Sequence, residues 1–425
     1  MATLRLIVDL TTGQGSSFDA EVARIKANVD NGASGQTFKT LGVGVITYTV
    51  PDVAKFPLAY STVGNLGELI PARDFFSVPG LGPIPKSFPD SPLWGPLTGF
   101  PESSRSLDRI IDLSGGPPVV PENWEWEVTG LEHALNVFTG QGVKVGVIDS
   151  GAAGAHPALA GRIAKFAKVR RKNDGPIGVA TPADEATDPQ GHGTQVTSIL
   201  AGVDPDGGRL GVAPGCTVCV ADITRDGVLA WEDVQFITAL EWMAEQGVRV
   251  LNLSVVYPLS RLEGHDIVLA AARRAGMLPI VAIGNHGCGV TATPGNSPQA
   301  LSVGAMDGPK TVAPDSGCRR ASSSTSRALP RLLAPGRVRV ALKSGGIVQW
   351  ENTQTSFAAP FVSGIAALLL EACPAATNAQ LEQALLTSAA RLQRTDFCNC
   401  PPTPVVNFES ALGMLRALGL ETSEG

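Results

Sequence analysis

The chain opens with an alternation in which Leu4, Leu6, Val8 and Leu10 are interleaved with Arg5, Ile7 and Asp9. A period of two predicts a strand with one buried face. Ser17 stands at an N-cap position, with Asp19 and Glu21 in the first turn beyond it. Phe18, Val22, Ile25 and Val29 then recur at helical spacing. Residues 41–50 read as strand again, and residues 67–76 as a last short strand. Residues 1–76 are therefore expected to form a small α+β domain. Periodicity fades across residues 77–121, which are rich in Pro and Gly (SVPGLGPIPKSFPDSPLWGPLTGFPE) and read as a linker. From 122 to 425 strand and helix patterns alternate. Residues 143–148, 218–223, 248–254 and 278–283 read as strands, and residues 196–201, 231–246, 267–275 and 356–371 as helices. The run at 143–148 is apolar almost throughout, as a strand buried on both faces requires. Such alternation predicts an α/β fold with a mostly parallel central sheet flanked by helices. Its active site would lie at the carboxyl ends of the strands.

Composition narrows the partners. An apolar fraction of 44% supports a large core, and a net charge of −6 argues against a nucleic-acid partner. No apolar run approaches the ~18 residues of a membrane span, so no membrane partner is expected. The N-terminus carries no basic run followed by an apolar stretch, so a cytoplasmic location is expected, with secretion by another route left open. The 7 cysteines are scattered. Cys216 and Cys219 form a lone C-x-x-C without the second half of a zinc site, so reduced and mostly buried thiols are expected. Cys288 is read as a buried structural cysteine.

Four segments carry candidate chemistry. Asp149 ends VGVID just past a buried strand. His192 sits between glycines in GHGT, at a helix start. Asn285 follows a strand in AIGNHG. Ser356 opens a long apolar helix in TSFAAP. A serine hydroxyl needs a base to take its proton, and that base needs a carboxylate to hold its tautomer. The oxyanion formed on attack needs fixed donors, here the Asn285 amide and the Ser356 backbone N–H. Competing signatures are missing: the chain has no G-x-S-x-G, no G-K-[ST] and no H-E-x-x-H.

The order Asp, His, Asn, Ser and its spacing resemble the subtilisin-like serine peptidases. GRLGVAPG at 208–215, VLNLS at 250–254, PGNSPQALSVGA at 294–305 and APG at 334–336 also resemble that family's landmarks, over roughly residues 122–415. The resemblance implies a subtilisin-like fold and an endopeptidase acting through an acyl-enzyme. It implies Asp149, His192 and Ser356 as the triad and Asn285 in the oxyanion hole. Ser254, Val255, Val256 and Gly284 would bind a peptide or protein substrate, and no cofactor is implied. Residues 1–76 are similar to the family's inhibitory propeptide, an intramolecular partner, which places self-cleavage within about 74–121.

The chain also departs from the pattern. Gln354 replaces a usual Gly, which would strain or crowd the site if that position needs positive φ or close substrate approach. Phe357 replaces a common Met, which implies resistance to oxidation. Val255, Val256 and Tyr257 replace a Gly-rich edge, which implies a narrowed pocket and restricted specificity. Ala158 stands where a calcium-binding carboxylate is common. Asp204 and Asp206 offer oxygens to a cation but read first as turn residues, so no metal is assigned. Two alternatives stay open, a catalytically impaired peptide-binding pseudopeptidase and a dedicated precursor-peptide processing protease.

Overall fold

The computed structural model describes residues 2–9, 18–28, 30, 32–50, 70–72, 123–171, 177–180, 185–224, 233–256, 263–320, 327–387, 390–394, 400 and 402–420. Ser17 and the expected linker at 77–121 lie outside them. The N-terminal elements are β1 (Ala2–Asp9), α1 (Phe18–Asn28), β2 (Ser34–Phe38), β3 (Val43–Val50) and β4 (Ile70–Ala72). They form a 4-stranded sheet in the order β2-β3-β1-β4. All of its pairings are antiparallel. The polar strand β2 was not anticipated, because SGQTF carries no apolar alternation.

A short helix α2 (Trp124–Val128) leads into the larger unit. Its elements follow as β5 (Lys144–Asp149), β6 (Ile163–Arg171), β7 (Ile177–Ala180), α3 (His192–Ala201), β8 (Thr217–Asp222), α4 (Asp233–Glu245), β9 (Val250–Leu253), α5 (Glu263–Arg274) and β10 (Leu278–Ala282). After these come β11 (Leu301–Gly308), β12 (Thr311–Val312), β13 (Leu332–Pro335), β14 (Arg339–Ala341), β15 (Ile347–Gln349), α6 (Thr355–Ala372), α7 (Asn378–Leu385), β16 (Arg391–Leu392), β17 (Thr403–Pro404) and α8 (Phe408–Ala417). The 9-stranded sheet runs β12-β11-β10-β9-β5-β8-β6-β7, with β13 pairing β11. It is parallel from β13 through to β6, and only β12 and β7 join antiparallel. This is the mostly parallel, helix-flanked sheet that the alternation predicts. Chain order reverses where β5 meets β9, and the crevice of such a sheet opens at that point.

The apolar run in β5 serves two cores at once. Val145 and Val147 pack on one face with α3 and α6, while Ile148 packs on the other with α4 and α5. Alternate side chains of a strand point to opposite faces, so burial on both sides removes the polar half of the pattern. Helix α6 is long and apolar enough to cross a membrane, but it is buried inside the fold. It is the central core helix.

The N-terminal sheet shares the second of these cores. Phe38, Leu41, Val43 and Val45 pack in it with Phe236, Leu240 and Leu269. Glu241 on α4 accepts the N–H groups of Thr40 at 2.8 Å and Leu41 at 2.9 Å. One carboxylate thus satisfies two adjacent donors in the β2–β3 turn. Glu241→Ala should cost about 1–2 kcal/mol of local stability. Amide exchange across 34–50 should then quicken by about tenfold, and unchanged exchange would show that the carboxylate does not hold the two units together.

Candidate active site

Asp149 is the last residue of β5 rather than the first beyond it, and it is fully buried. A buried carboxylate stays charged only if donors surround it. Its Oδ1 accepts the Ser150 N–H at 2.7 Å and lies 2.8 Å from His192 Nδ1.

His192 opens α3, whose N-cap is Gly191, a residue with no side chain to serve the free N–H groups of the first turn. Asp188 does this instead. Its Oδ1 accepts the N–H of Gln190 at 3.1 Å and of Gly191 at 2.7 Å. Its Oδ2 accepts the N–H and the hydroxyl of Thr194, each at 2.7 Å. Ser150 Oγ donates to Asp188 Oδ1 at 2.8 Å and accepts the Gly193 N–H at 2.9 Å. The residue after Asp149 is therefore tied to the helix that carries His192. A Cβ on Gly193 would stand 2.0 Å from the Gly151 carbonyl oxygen, so only glycine allows this approach. Asp188 and Ser150 were not among the expected site residues. The readable signal was an aspartate three residues ahead of the glycine that opens G-H-G-T.

Burial alone would depress the His192 pKa. The charge and hydrogen bond of Asp149, joined by the charge of Asp188, outweigh it and hold the imidazole above its ordinary 6.5.

Ser356 is the second residue of α6 and is 7% exposed. At that position its N–H has no acceptor within the helix. Pro360, four residues on, has no N–H to give the Ser356 carbonyl. Ser254 Oγ donates to that carbonyl at 2.8 Å instead, and Ser356 Oγ donates to the Ser254 carbonyl at 3.0 Å. The two serines clasp the end of β9 to the start of α6. Asn252 Nδ2 supports the clasp by donating to Ser254 Oγ at 3.0 Å.

Asn285 Oδ1 accepts the Thr355 N–H at 2.8 Å and the Thr355 hydroxyl at 2.9 Å. With its acceptor end fixed on the residue before Ser356, the amide's donor end is left to face away from Thr355. Gly284 has φ +100, and a Cβ there would lie 2.7 Å from the Ala292 Cβ. Gln354, expected to strain the loop if the backbone needed positive φ, has φ −136 and ψ 140. That is extended backbone open to any residue, so the backbone itself does not require glycine there.

Ser254, Val255 and Val256 follow β9, and Gly284 follows β10, the strand beside it. Val255 is 8% exposed and belongs to the core that also holds Phe236 and Leu253. Val256 is half-buried, Ser254 is engaged with Ser356, and Tyr257 lies outside the described residues.

Asp204 Oδ2 accepts from Arg339 Nη2 at 2.7 Å, and Arg339 Nη1 donates to the Arg209 carbonyl at 2.9 Å. The Asp206 N–H and this guanidinium hold the Asp204 carboxyl below its ordinary value. A guanidinium thus lies against the oxygens considered for a cation, and no cluster of three metal-ligating side chains occurs among the described residues. Cys216 and Cys219 sit in cores on opposite faces of the sheet and cannot share a metal. Burial pushes their thiols up to about 12 and about 11. Cys288 departs from expectation, being exposed and disulfide-bonded rather than buried and reduced.

Residues 140–405 match the model of Peptidase_S8, the subtilase family. The chain is 29% identical over 364 residues to the subtilisin-like protease PopC of Myxococcus xanthus, covering 77% of this chain and 69% of that protein. It is 33% identical over 262 residues to subtilisin E of Bacillus subtilis, covering 60% and 62% respectively. Among solved structures it is similar to the prenylagaramide maturation protease PagA, with TM-score 0.52 and 25% identity over 64% of this chain and 94% of that one. A cold-adapted subtilisin-like serine proteinase shares the fold at TM-score 0.51 and 24% identity, over 64% of this chain and 90% of that one. Fold and relatives define the class as serine-type endopeptidase. The chain belongs to the subtilase family.

Asp188→Ala should remove the acceptor for the first turn of α3 and lower stability by about 3 kcal/mol. Urea unfolding measures this, and a loss within about 0.5 kcal/mol, the size of an ordinary surface substitution, would show that Asp188 is not the cap.

Proposed function

We propose that the chain hydrolyses peptide bonds through an acyl-enzyme on Ser356. The observation that carries this reading is the 2.8 Å contact between Asp149 Oδ1 and His192 Nδ1. It fixes the tautomer so that Nε2 is left as the base. Ser356 turns its hydroxyl from the Ser254 carbonyl to His192 Nε2, gives up its proton and attacks the substrate carbonyl. The Asn285 amide and the Ser356 N–H receive the oxyanion. His192 then protonates the leaving amine, and water repeats the sequence to release the acid. These steps use the chain's own groups and require no cofactor. The extended backbone at Gln354 favours this active reading over a peptide-binding pseudopeptidase.

Ser356→Ala should lower kcat by about 10⁶, and Asn285→Gly by about 10²–10³. Both magnitudes come from a subtilisin, a relative, rather than from this geometry. Hydrolysis that survived Ser356→Ala would end the assignment. His192 must be neutral to accept a proton. Its raised pKa therefore predicts that kcat/KM climbs with pH through an apparent pKa above 6.5. A profile already flat at pH 6 would contradict the Asp149 contact.

A second reading concerns the substrate. PagA is named as a maturation protease, which favours a dedicated role in processing a precursor peptide for this chain too. Restricted specificity would follow. Residues 1–76 fit an intramolecular propeptide, because their sheet shares a core with α4 and α5 and is fastened by Glu241. Intact mass should then show a shortened chain for the wild type and a full-length chain for Ser356→Ala.

A further inference from the structure

The hydrogen bond to Asp149 holds His192 at one ring edge only. An imidazole held at one nitrogen can still tilt about that bond, and catalysis depends on where Nε2 points. A ring face supplies the missing restraint. Phe357, directly after Ser356, stacks on His192 with centroids 6.3 Å apart and an interplanar angle of 25°. Phe357 is fully buried. Trp350 meets Phe357 edge-on at 5.9 Å and 82°. Both geometries are favourable for aromatic pairs.

Trp350 is itself anchored to the helix that carries His192. It follows β15, and its N–H donates to the Val338 carbonyl at 3.0 Å, at the base of the β14–β15 hairpin. That hairpin is fastened to α3 by the Ala341 N–H, which donates to Ser198 Oγ at 2.9 Å. Lys343 Nζ donates to the Pro189 carbonyl, just ahead of α3. The indole Nε1 is buried without a hydrogen-bond partner among the described residues. The ring therefore serves by its shape and not as a donor. Helix, hairpin, Trp350, Phe357 and His192 form a closed circuit of contacts.

We propose that Phe357 and Trp350 are positioning residues for His192. Phe357 fixes the tilt of the imidazole, and Trp350 holds Phe357 in place. The inference rests on the reading of His192 as the general base, and it adds two residues that touch no reacting atom.

The test combines kinetics with a spectroscopic readout on the full chain. Phe357→Leu keeps an apolar side chain without a flat face, and Trp350→Ala removes the brace. Each should lower kcat about 10–100-fold with KM within about twofold, as expected for a misaimed base. In the proton spectrum, the low-field Nδ1 resonance of His192 should broaden or exchange faster than in the wild type. The two substitutions together should cost little more than Phe357→Leu alone, because Trp350 acts through Phe357. Thermal unfolding verifies that each variant is folded; Phe357→Ile replaces an unfolded Phe357→Leu, and Trp350→Leu an unfolded Trp350→Ala. The positioning role is overturned if folded variants keep kcat within twofold and the resonance unchanged, or if the two effects simply add. His192→Ala, run in parallel, separates the two claims: activity that survives it refutes the general-base reading itself, whatever Phe357 does.

Discussion

A fully buried carboxylate at the end of the central strand sets the terms for the rest of this molecule. Asp149 has left water, and its charge is tolerable only where donors are brought to it. Among the described residues the peptide N–H of Ser150 and His192 supply them, both at Oδ1, while Oδ2 is left without a partner. Bringing His192 there requires the start of α3 to press against the end of β5. That in turn requires a glycine at 193 and a cap supplied from outside the helix. Asp188 meets the second need, and Ser150 joins the two carboxylates into one network. The elevated His192 pKa is the electrostatic expression of the same arrangement.

A comparable economy governs the other half of the site. Pro360 leaves the Ser356 carbonyl without its helical partner, and Ser254 takes its place. The exchange fastens the end of β9 to the start of α6. Thr355 does the same for β10 through Asn285. Strand ends and one helix start are thereby locked together by short polar contacts, while two apolar cores on either side of the sheet supply the rigidity. The parallel sheet fixes which residues meet, and the polar clasps fix how closely.

Much of this was legible in the sequence, for physical reasons. A strand buried on both faces must be apolar throughout, so β5 announced itself. The chemistry-bearing residues sit where strands end and helices begin, so Asp149, His192, Asn285 and Ser356 could be placed on those boundaries. Local pattern failed where a residue's role depends on distant partners. Asp188 was passed over, because its role shows only once α3 is seen to lack a cap of its own. Gln354 looked like a strained substitute for glycine, yet its backbone is extended. Strand β2 was missed because its sequence is polar. Cys288 was misread because a cysteine's pairing cannot be read from its local sequence.

The central claim is that the Ser356 hydroxyl is the nucleophile and that its oxyanion partners are Asn285 and the Ser356 N–H. The most direct measurement is a crystal structure of the full chain treated with a peptide boronic acid, which forms a tetrahedral adduct on an activated serine. The account predicts boron bonded to Ser356 Oγ, with one boronate oxygen within about 3.2 Å of both Asn285 Nδ2 and the Ser356 nitrogen. An unmodified Ser356 beside a bound inhibitor, or an adduct whose oxygens avoid Asn285, would contradict it.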